Sequence, residues 1–476
     1  MRPSRLFRLS LFALLMLVYG RASAQAPGQV SAAAAAAEPA RQAIVGDALL
    51  TEGAYHLLDS LTTRFGPRMA GTEGNRRSMD ALEDALRALG LQTRREPFSY
   101  PGWRRGDDRV EVASPFTRPL RAVALGYSPS HAAFEAPLVY VARADDAMGD
   151  LESLRGAVLL LAPNLTFSNA DQQTLASAGV RGLLLINRVG DGQLLARVAN
   201  QNGDAAPFPL YSITQEEGFW LQRLLGSEPV RVRLTTRSQP YAAQGVNLVA
   251  TLPGTSGQKV VVGAHFDSWD LGQGALDNGL GVAQLYEAAR LLSRHSPGLH
   301  HTVEFVWFDA EELGLWGSRR YVERGGLDSV RVMLNLDMVG EPIGLNAMGF
   351  SELTPLLERA AEGLGVWDLT QPLANKTWLG SDHHPFVASG IPAVTFNAPI
   401  NPEAVRFYHD FGDTFDKVDR AMLARASAVV ALVTRTLARD TTTNLRRYSP
   451  AETADLLRAA GVEDRLRSLG QWPFGD

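Results

Sequence analysis

Two kinds of side chain that can hold a metal ion and move a proton recur along the 476-residue chain: imidazoles at His265 and His409, and carboxylates at Asp267, Asp277, Glu311, Glu312 and Asp337. His265-Phe266-Asp267 closes an apolar run, which places Asp267 to accept the second N–H of a metal-bound imidazole and so orient it. Asp277-Asn278-Gly279 follows in a glycine-rich loop, where a lone Asp would serve as a helix cap. Asp309-Ala310-Glu311-Glu312 ends a second apolar run; taken alone, adjacent glutamates there would complement a helix N-terminus. In company, one of them can bind metal while its neighbour faces the metal-bound water. A third apolar run ends in Asp337, and Tyr408-His409 lies in a loop with Asp410, Asp413 and Asp416. Imidazole and carboxylate donors without sulfur suit zinc, with cobalt or manganese as substitutes. The donor set is larger than one catalytic zinc requires, so two ions bridged by a carboxylate are the economical reading.

The surrounding pattern supplies the elements that must bring these residues together. From Gln258 onward, strands at Val260–His265, Thr302–Asp309, Val330–Asp337 and Ala393–Phe396 alternate with helices at Gly281–Leu292, Gly317–Val322 and Met422–Leu437. Buried strands alternating with helices predict a three-layer α/β sandwich with a mixed, mainly parallel sheet. Sites in such sheets sit at the strand C-terminal ends. Upstream, helical spacing covers Ala43 to Leu61 and Ser78 to Leu89, separated by a Gly/Pro loop at residues 65–71, and Val110–Val112, Leu120–Leu125 and Val246–Leu252 read as strands. Pro137 to Thr236 has strands and a helix of its own and reads as an inserted unit. The division is therefore a catalytic domain from 41–136 and 237–440, an insert at 137–236, and a tail at 441–476 in which no chemistry is evident.

Residues 1–24 carry Arg2, Arg5 and Arg8, an apolar run and Ala22-Ser23-Ala24, the three parts of a secretory signal, followed by a mobile leader at 25–40. Export to the periplasm or medium without a stable membrane anchor is expected. Loss of that segment removes four arginines and no acid, which takes 46 bases against 51 acids to 42 against 51, a charge of −9. An acidic protein argues against nucleic acid as partner. There are no cysteines, which excludes disulfides, thiolate zinc sites and a lipidated cysteine. Asn164-Leu165-Thr166 and Asn375-Lys376-Thr377 fit the glycosylation pattern. No Gly-x-Ser-x-Gly elbow and no phosphate-binding loop is present, which removes serine hydrolases and P-loop nucleotide binding. His56, His131, His295, His300 and His301 have no supporting neighbours and read as surface or packing residues.

The strings His265-Phe266-Asp267-Ser268, Gly274-Ala275-Leu276-Asp277-Asn278-Gly279, Glu311-Glu312-Leu313-Gly314, Asn335-Leu336-Asp337-Met338 and Tyr408-His409 resemble the co-catalytic zinc exopeptidases of family twenty-eight, clan MH. The 137–236 insert resembles the protease-associated domain found in several exported peptidases. The resemblance implies two zinc ions per chain, with Asp277 bridging, His265 and Asp337 completing one site, and Glu312 and His409 the other. It implies Glu311 as general base, Asp267 orienting His265, and a cis peptide after Asp277. Peptide or dipeptide substrates and a homodimer are implied as well. The stretch from His265 to Gly281 is most similar to members of carboxypeptidase type, whereas the wider family is mostly aminopeptidases. Ser381-Asp382-His383-His384 resembles a segment near the substrate pocket, where His383 or His384 would either contact substrate or form the wall.

Overall fold

The computed structural model describes residues 39–475 apart from 363, 365–368 and 372, so the signal and nearly all of the leader lie outside the described residues. The helical spacing from Ala43 to Leu61 resolves into two helices, Pro39–Thr51 and Gly53–Phe65. The break falls at Glu52, which adopts a left-handed conformation (φ 51°). Gly53 admits the close packing there, because a Cβ on it would lie 2.3 Å from the Glu287 carboxylate.

Eight strands form the main sheet, in the order 92–104, 239–252, 302–308, 259–265, 330–335, 393–397, 344–346, 373–374. Its four middle strands run parallel, 92–104, 239–252 and 344–346 join by antiparallel pairing, and 373–374 pairs parallel with 344–346, so the sheet is mixed with a parallel centre. The parallel strands read as continuous apolar runs because both faces are covered. Val260, Val262 and Ala264 pack with the Leu280–His295 and Arg420–Arg439 helices, while Val261 joins Phe308, Met333, Tyr321 and Phe386 on the opposite face. The Arg420–Arg439 helix has the length and apolarity of a membrane span, but 78% of its apolar window is buried. Its hydrophobicity belongs to the core.

A second eight-stranded sheet, in the order 118–119, 109–114, 231–236, 131–141, 158–161, 182–186, 210–213, 122–124, has one apolar cluster of its own and shares another with residues of the main domain such as Phe98, Trp103 and Trp316. Its strands start at Arg109, ahead of the 137 at which the sequence places the start of the insert. Pro137 sits inside the His131–Val141 strand rather than between units. Residues 131–137 pair antiparallel with 231–236, and residues 138–141 pair parallel with 158–161, so the strand changes partners at the proline. A residue without an N–H is tolerated at such a change. The long Gln92–Arg104 strand, absent from the sequence reading, pairs along its whole length with Gln239–Leu252 and links the two sheets in the chain.

Candidate metal centre

Strand register decides where the three central ends lie. Gly263 is level with Asn335, so two residues further on His265 comes beside Asp337, and the Leu336 amide donates to the Gly263 carbonyl at 2.8 Å. On the other side His265 is level with Phe308, which leaves Asp309 to Glu312 just beyond the sheet edge. Asp277 reaches the same edge from the loop before the Leu280–His295 helix. That loop requires Gly274, whose φ is +61° and where a Cβ would meet the Ser268 side chain at 2.2 Å. The Asp277-Asn278 peptide is cis.

The two carboxylate oxygens of Asp277 face different imidazoles: Oδ1 lies 3.1 Å from His265 Nε2 and Oδ2 lies 3.0 Å from His409 Nε2. Asp337 Oδ1 is 3.5 Å from His265 Nε2, and Glu312 Oε2 is 3.1 Å from His409 Nε2. Donor atoms of His265, Asp277 and Asp337 lie within 4.8 Å of one another, as do those of Asp277, Glu312 and His409. Asp277 is common to both triads. A further grouping, His265 with Glu311 and Glu312, meets the same limit.

The hydrogen bonds on the far side of each ring explain why a cation fits here. His265 Nδ1 donates to the Asp267 carbonyl at 3.1 Å and His409 Nδ1 to the Ala196 carbonyl at 2.7 Å. With a cation bound the rings would be neutral, and each would turn the lone pair of Nε2 toward the carboxylate oxygens; without one, a proton on Nε2 takes that place. Lone pairs facing one another at 3.0–3.5 Å repel unless a positive charge lies between them. Buried His409 Nε2 and Glu312 Oε1 have no hydrogen-bond partner among the described residues. Burial pulls the His409 pKa down, but the Glu312 and Asp277 carboxylates overcome this and push it up to about 10. Burial pushes Glu311 well above the ordinary glutamate range, with Glu312, Asp337 and Asp382 adding to the shift and His265 opposing it. Two imidazoles cannot neutralise Asp277, Asp337, Glu311 and Glu312, so the donor set has room for metal charge.

Asp267 is buried beside the centre, but its carboxylate is 3.8 Å from His265 Nδ1, beyond a hydrogen bond. Its oxygens instead accept the amides of Glu311 (3.0 Å) and Glu312 (3.2 Å), and its backbone carbonyl holds the imidazole. The strand ends at His265, so the alternation that would aim Asp267 along with His265 stops before it acts. Neither His383 nor His384 is a donor in the triads. Buried His383 bonds through Nε2 to the Trp378 carbonyl at 2.9 Å, whereas His384 lines the cleft over Glu311 and Glu312. Of the other histidines, His295 pairs with Asp47 at 2.7 Å and His301 with Ser256 and the Asp440 carbonyl.

Several residues missed in the sequence position this centre through the backbone. Arg68, fully buried, donates to the carbonyls of Phe266 (2.9 Å), Gln273 (3.0 Å) and Gly274 (2.8 Å), tying the end of the His265 strand to the Asp277 loop. Asp413 accepts the amides of Leu276 (2.7 Å) and Asp277 (3.1 Å), and burial raises its pKa to about 7. Asn278 donates to the Leu336 carbonyl and accepts from Gly281 and Met338, joining the Asp277 and Asp337 loops. The tail, in which no chemistry was expected, supplies Val462, Arg465 and Leu466 to the cleft wall, and the second sheet's unit supplies Arg197 and Gln201.

An α/β sheet whose parallel strand ends gather two imidazoles and four carboxylates is the frame of a metal-dependent hydrolase. Residues 247–434 match the model of peptidase family M28, so the segment carrying this centre is that of a family M28 peptidase, and by class the enzyme is a hydrolase of the exopeptidase kind. The chain is similar to the probable lipoprotein aminopeptidase LpqL of Mycobacterium tuberculosis, 28% identical over 457 residues that cover 86% of this chain and 88% of that one. It is 26% identical over 404 residues to carboxypeptidase Q of Bos taurus, covering 81% and 85%. A zinc aminopeptidase from Bacillus subtilis shares the fold, with a TM-score of 0.68 at 23% identity over 84% of this chain and 98% of that one.

Proposed function

We propose that this is an exported zinc exopeptidase that hydrolyses dipeptides or short peptides with cleavage of carboxypeptidase type, and that its second sheet belongs to a protease-associated insert. The observation that carries the reading is Asp277, whose two oxygens face two imidazoles and which is shared by two donor triads. His265 and Asp337 would hold one ion, Glu312 and His409 a second, and Asp277 both. When bound, the pair of ions lowers the pKa of a shared water and offsets the negative charge that develops on the substrate carbonyl oxygen. Glu311, outside the two Asp277 triads, takes the water's proton and delivers it to the departing amine. Asp267 fixes the backbone of Glu311 and Glu312 so that their side chains keep separate tasks. Export rests on residues 1–24.

That relative's description as an aminopeptidase favours a second reading, cleavage at the amino end by the same centre. Glu311→Gln tests the mechanism common to both readings. Zinc content measured by mass spectrometry should be unchanged, while kcat on dipeptides falls about 10²- to 10⁴-fold. Full activity in this variant would refute the assignment of the base.

A further inference from the structure

Three arginines from separate parts of the chain line the cleft over Glu311 and Glu312: Arg197 from the second sheet's unit, Arg319 from the Trp316–Glu323 helix, and Arg465 from the Glu463–Ser468 helix. The cleft has a volume of about 190 Å³. Several arginines elsewhere hold carboxylates: Arg105 holds Asp270 at 2.8 Å, Arg290 holds Asp47 and Glu287, and Arg331 holds Asp440. By contrast, the guanidinium groups of Arg197, Arg319 and Arg465 have no hydrogen bond or ion pair among the described residues. Arg197 and Arg319 are half-buried, and burial lowers both below the ordinary arginine range. A desolvated cation without an anion is unfavourable, and proteins normally pair it. Here three like charges converge on one cleft.

The wall is also held in shape. The Arg319 guanidinium lies over the Trp316 ring, 5.2 Å from its centroid, and Trp316 Nε1 donates to the Leu313 carbonyl at 2.9 Å. His384, on the same wall, is pushed down to about 3 by burial together with the charges of His383, Arg319 and Arg465. It stays neutral and leaves the positive charge to the arginines.

We propose that Arg197, Arg319 and Arg465 form a carboxylate-binding subsite that selects substrates carrying a free carboxylate beyond the scissile bond. The planar guanidinium fork matches a carboxylate in a bidentate manner that lysine cannot reproduce. The carboxylate has two possible sources, the C-terminus of a dipeptide or an acidic side chain next to a blocked terminus. This inference rests on the exopeptidase reading and gives that site its substrate preference.

The test uses the full-length, zinc-loaded enzyme with alanyl-leucine, alanyl-leucine amide and alanyl-glutamic acid amide. Wild type should cleave the free dipeptide with kcat/KM about 10- to 100-fold above the leucine amide, in keeping with one charged hydrogen-bonded contact. Arg465→Gln, on an exposed helix, and Arg319→Gln should each narrow that ratio toward one, with little change for the amide. Arg319→Lys should not restore it. If the glutamic acid amide is favoured as strongly as the free dipeptide, the subsite stands and accepts side-chain carboxylates. Equal ratios in wild type and both Gln variants would overturn the proposal. If wild type hydrolyses none of the three, the exopeptidase reading fails, and calorimetric binding of alanyl-leucine against its amide to wild type and Arg465→Gln still decides the subsite.

Discussion

Arg68→Ala should damage both the stability of the fold and its hold on metal, because Arg68 ties the end of the His265 strand to the Asp277 loop through three carbonyls. Truncation leaves the carbonyls of Phe266, Gln273 and Gly274 without their donor. Each unsatisfied buried carbonyl costs about 1–3 kcal/mol, so the upper range is about 3–9 kcal/mol. Gln273 and Gly274 lie in a loop that can turn partly to water, which brings the expected loss to about 3–5 kcal/mol. Against a total stability of about 5–15 kcal/mol that is a large share. Arg68→Lys keeps a charge but reaches only part of the fork, so it should recover less than half of the loss. Urea unfolding of the three proteins measures the first effect. Competition with a chromogenic chelator measures the second, expected as a 10- to 100-fold loss of zinc affinity, the usual effect of removing a group that orients ligands. Arg68→Ala within about 1 kcal/mol of wild type, with zinc affinity intact, would refute the reasoning.

Asp277→Asn replaces one of the shared oxygens by an amide nitrogen, and zinc measured by mass spectrometry should fall below the content that Glu311→Gln retains. Equal loading of the two variants would remove Asp277 from the role of bridge. At the periphery, burial pushes Asp47 up, but hydrogen bonds from Arg290 and His295 more than compensate and hold it at about 2, below its unfolded value of 3.8. A depressed carboxylate contributes stability that is fully present above the unfolded pKa and is lost as pH falls through the folded one. Urea unfolding between pH 6 and 2 should therefore show a shallower acid loss in Asp47→Asn than in wild type, and identical slopes would contradict the network.

Much of the centre is legible in the sequence because each donor closes an apolar run, and parallel register then gathers the ends: His265 comes level with Phe308 on one side and two residues past the Gly263–Asn335 pair on the other. Arg68 and Asp413 are illegible for the opposite reason. They act on backbone carbonyls and amides, which carry no residue-type signature, and Asp413 is indistinguishable in sequence from Asp410 and Asp416 beside it. The sheet to which the strands of residues 109–136 belong is not legible in the sequence, because alternation marks a strand and its faces but not its partners. The cleft arginines lie more than a hundred residues apart in the chain, and only tertiary packing gives them a common wall.

The second sheet's unit cannot be a detachable ornament, because it fixes one of the two imidazoles. Ala196 accepts the His409 Nδ1 proton at 2.7 Å and returns its own amide to the His409 carbonyl at 3.0 Å. Next to it, the Leu194 amide donates to Asp410 at 2.8 Å. These bonds set the tautomer and stabilise the loop around His409, whose φ is 56°, a left-handed conformation that a β-carbon residue does not favour. His265 has the same support from inside the main domain, through the Asp267 carbonyl. The two imidazoles are thus oriented by carbonyls of different units and meet on opposite oxygens of Asp277. Arg197, one residue beyond Ala196, lines the cleft next to them. The segment that orients a metal donor also contributes to the wall that selects substrate, so binding and metal geometry are tied through a single short stretch of backbone.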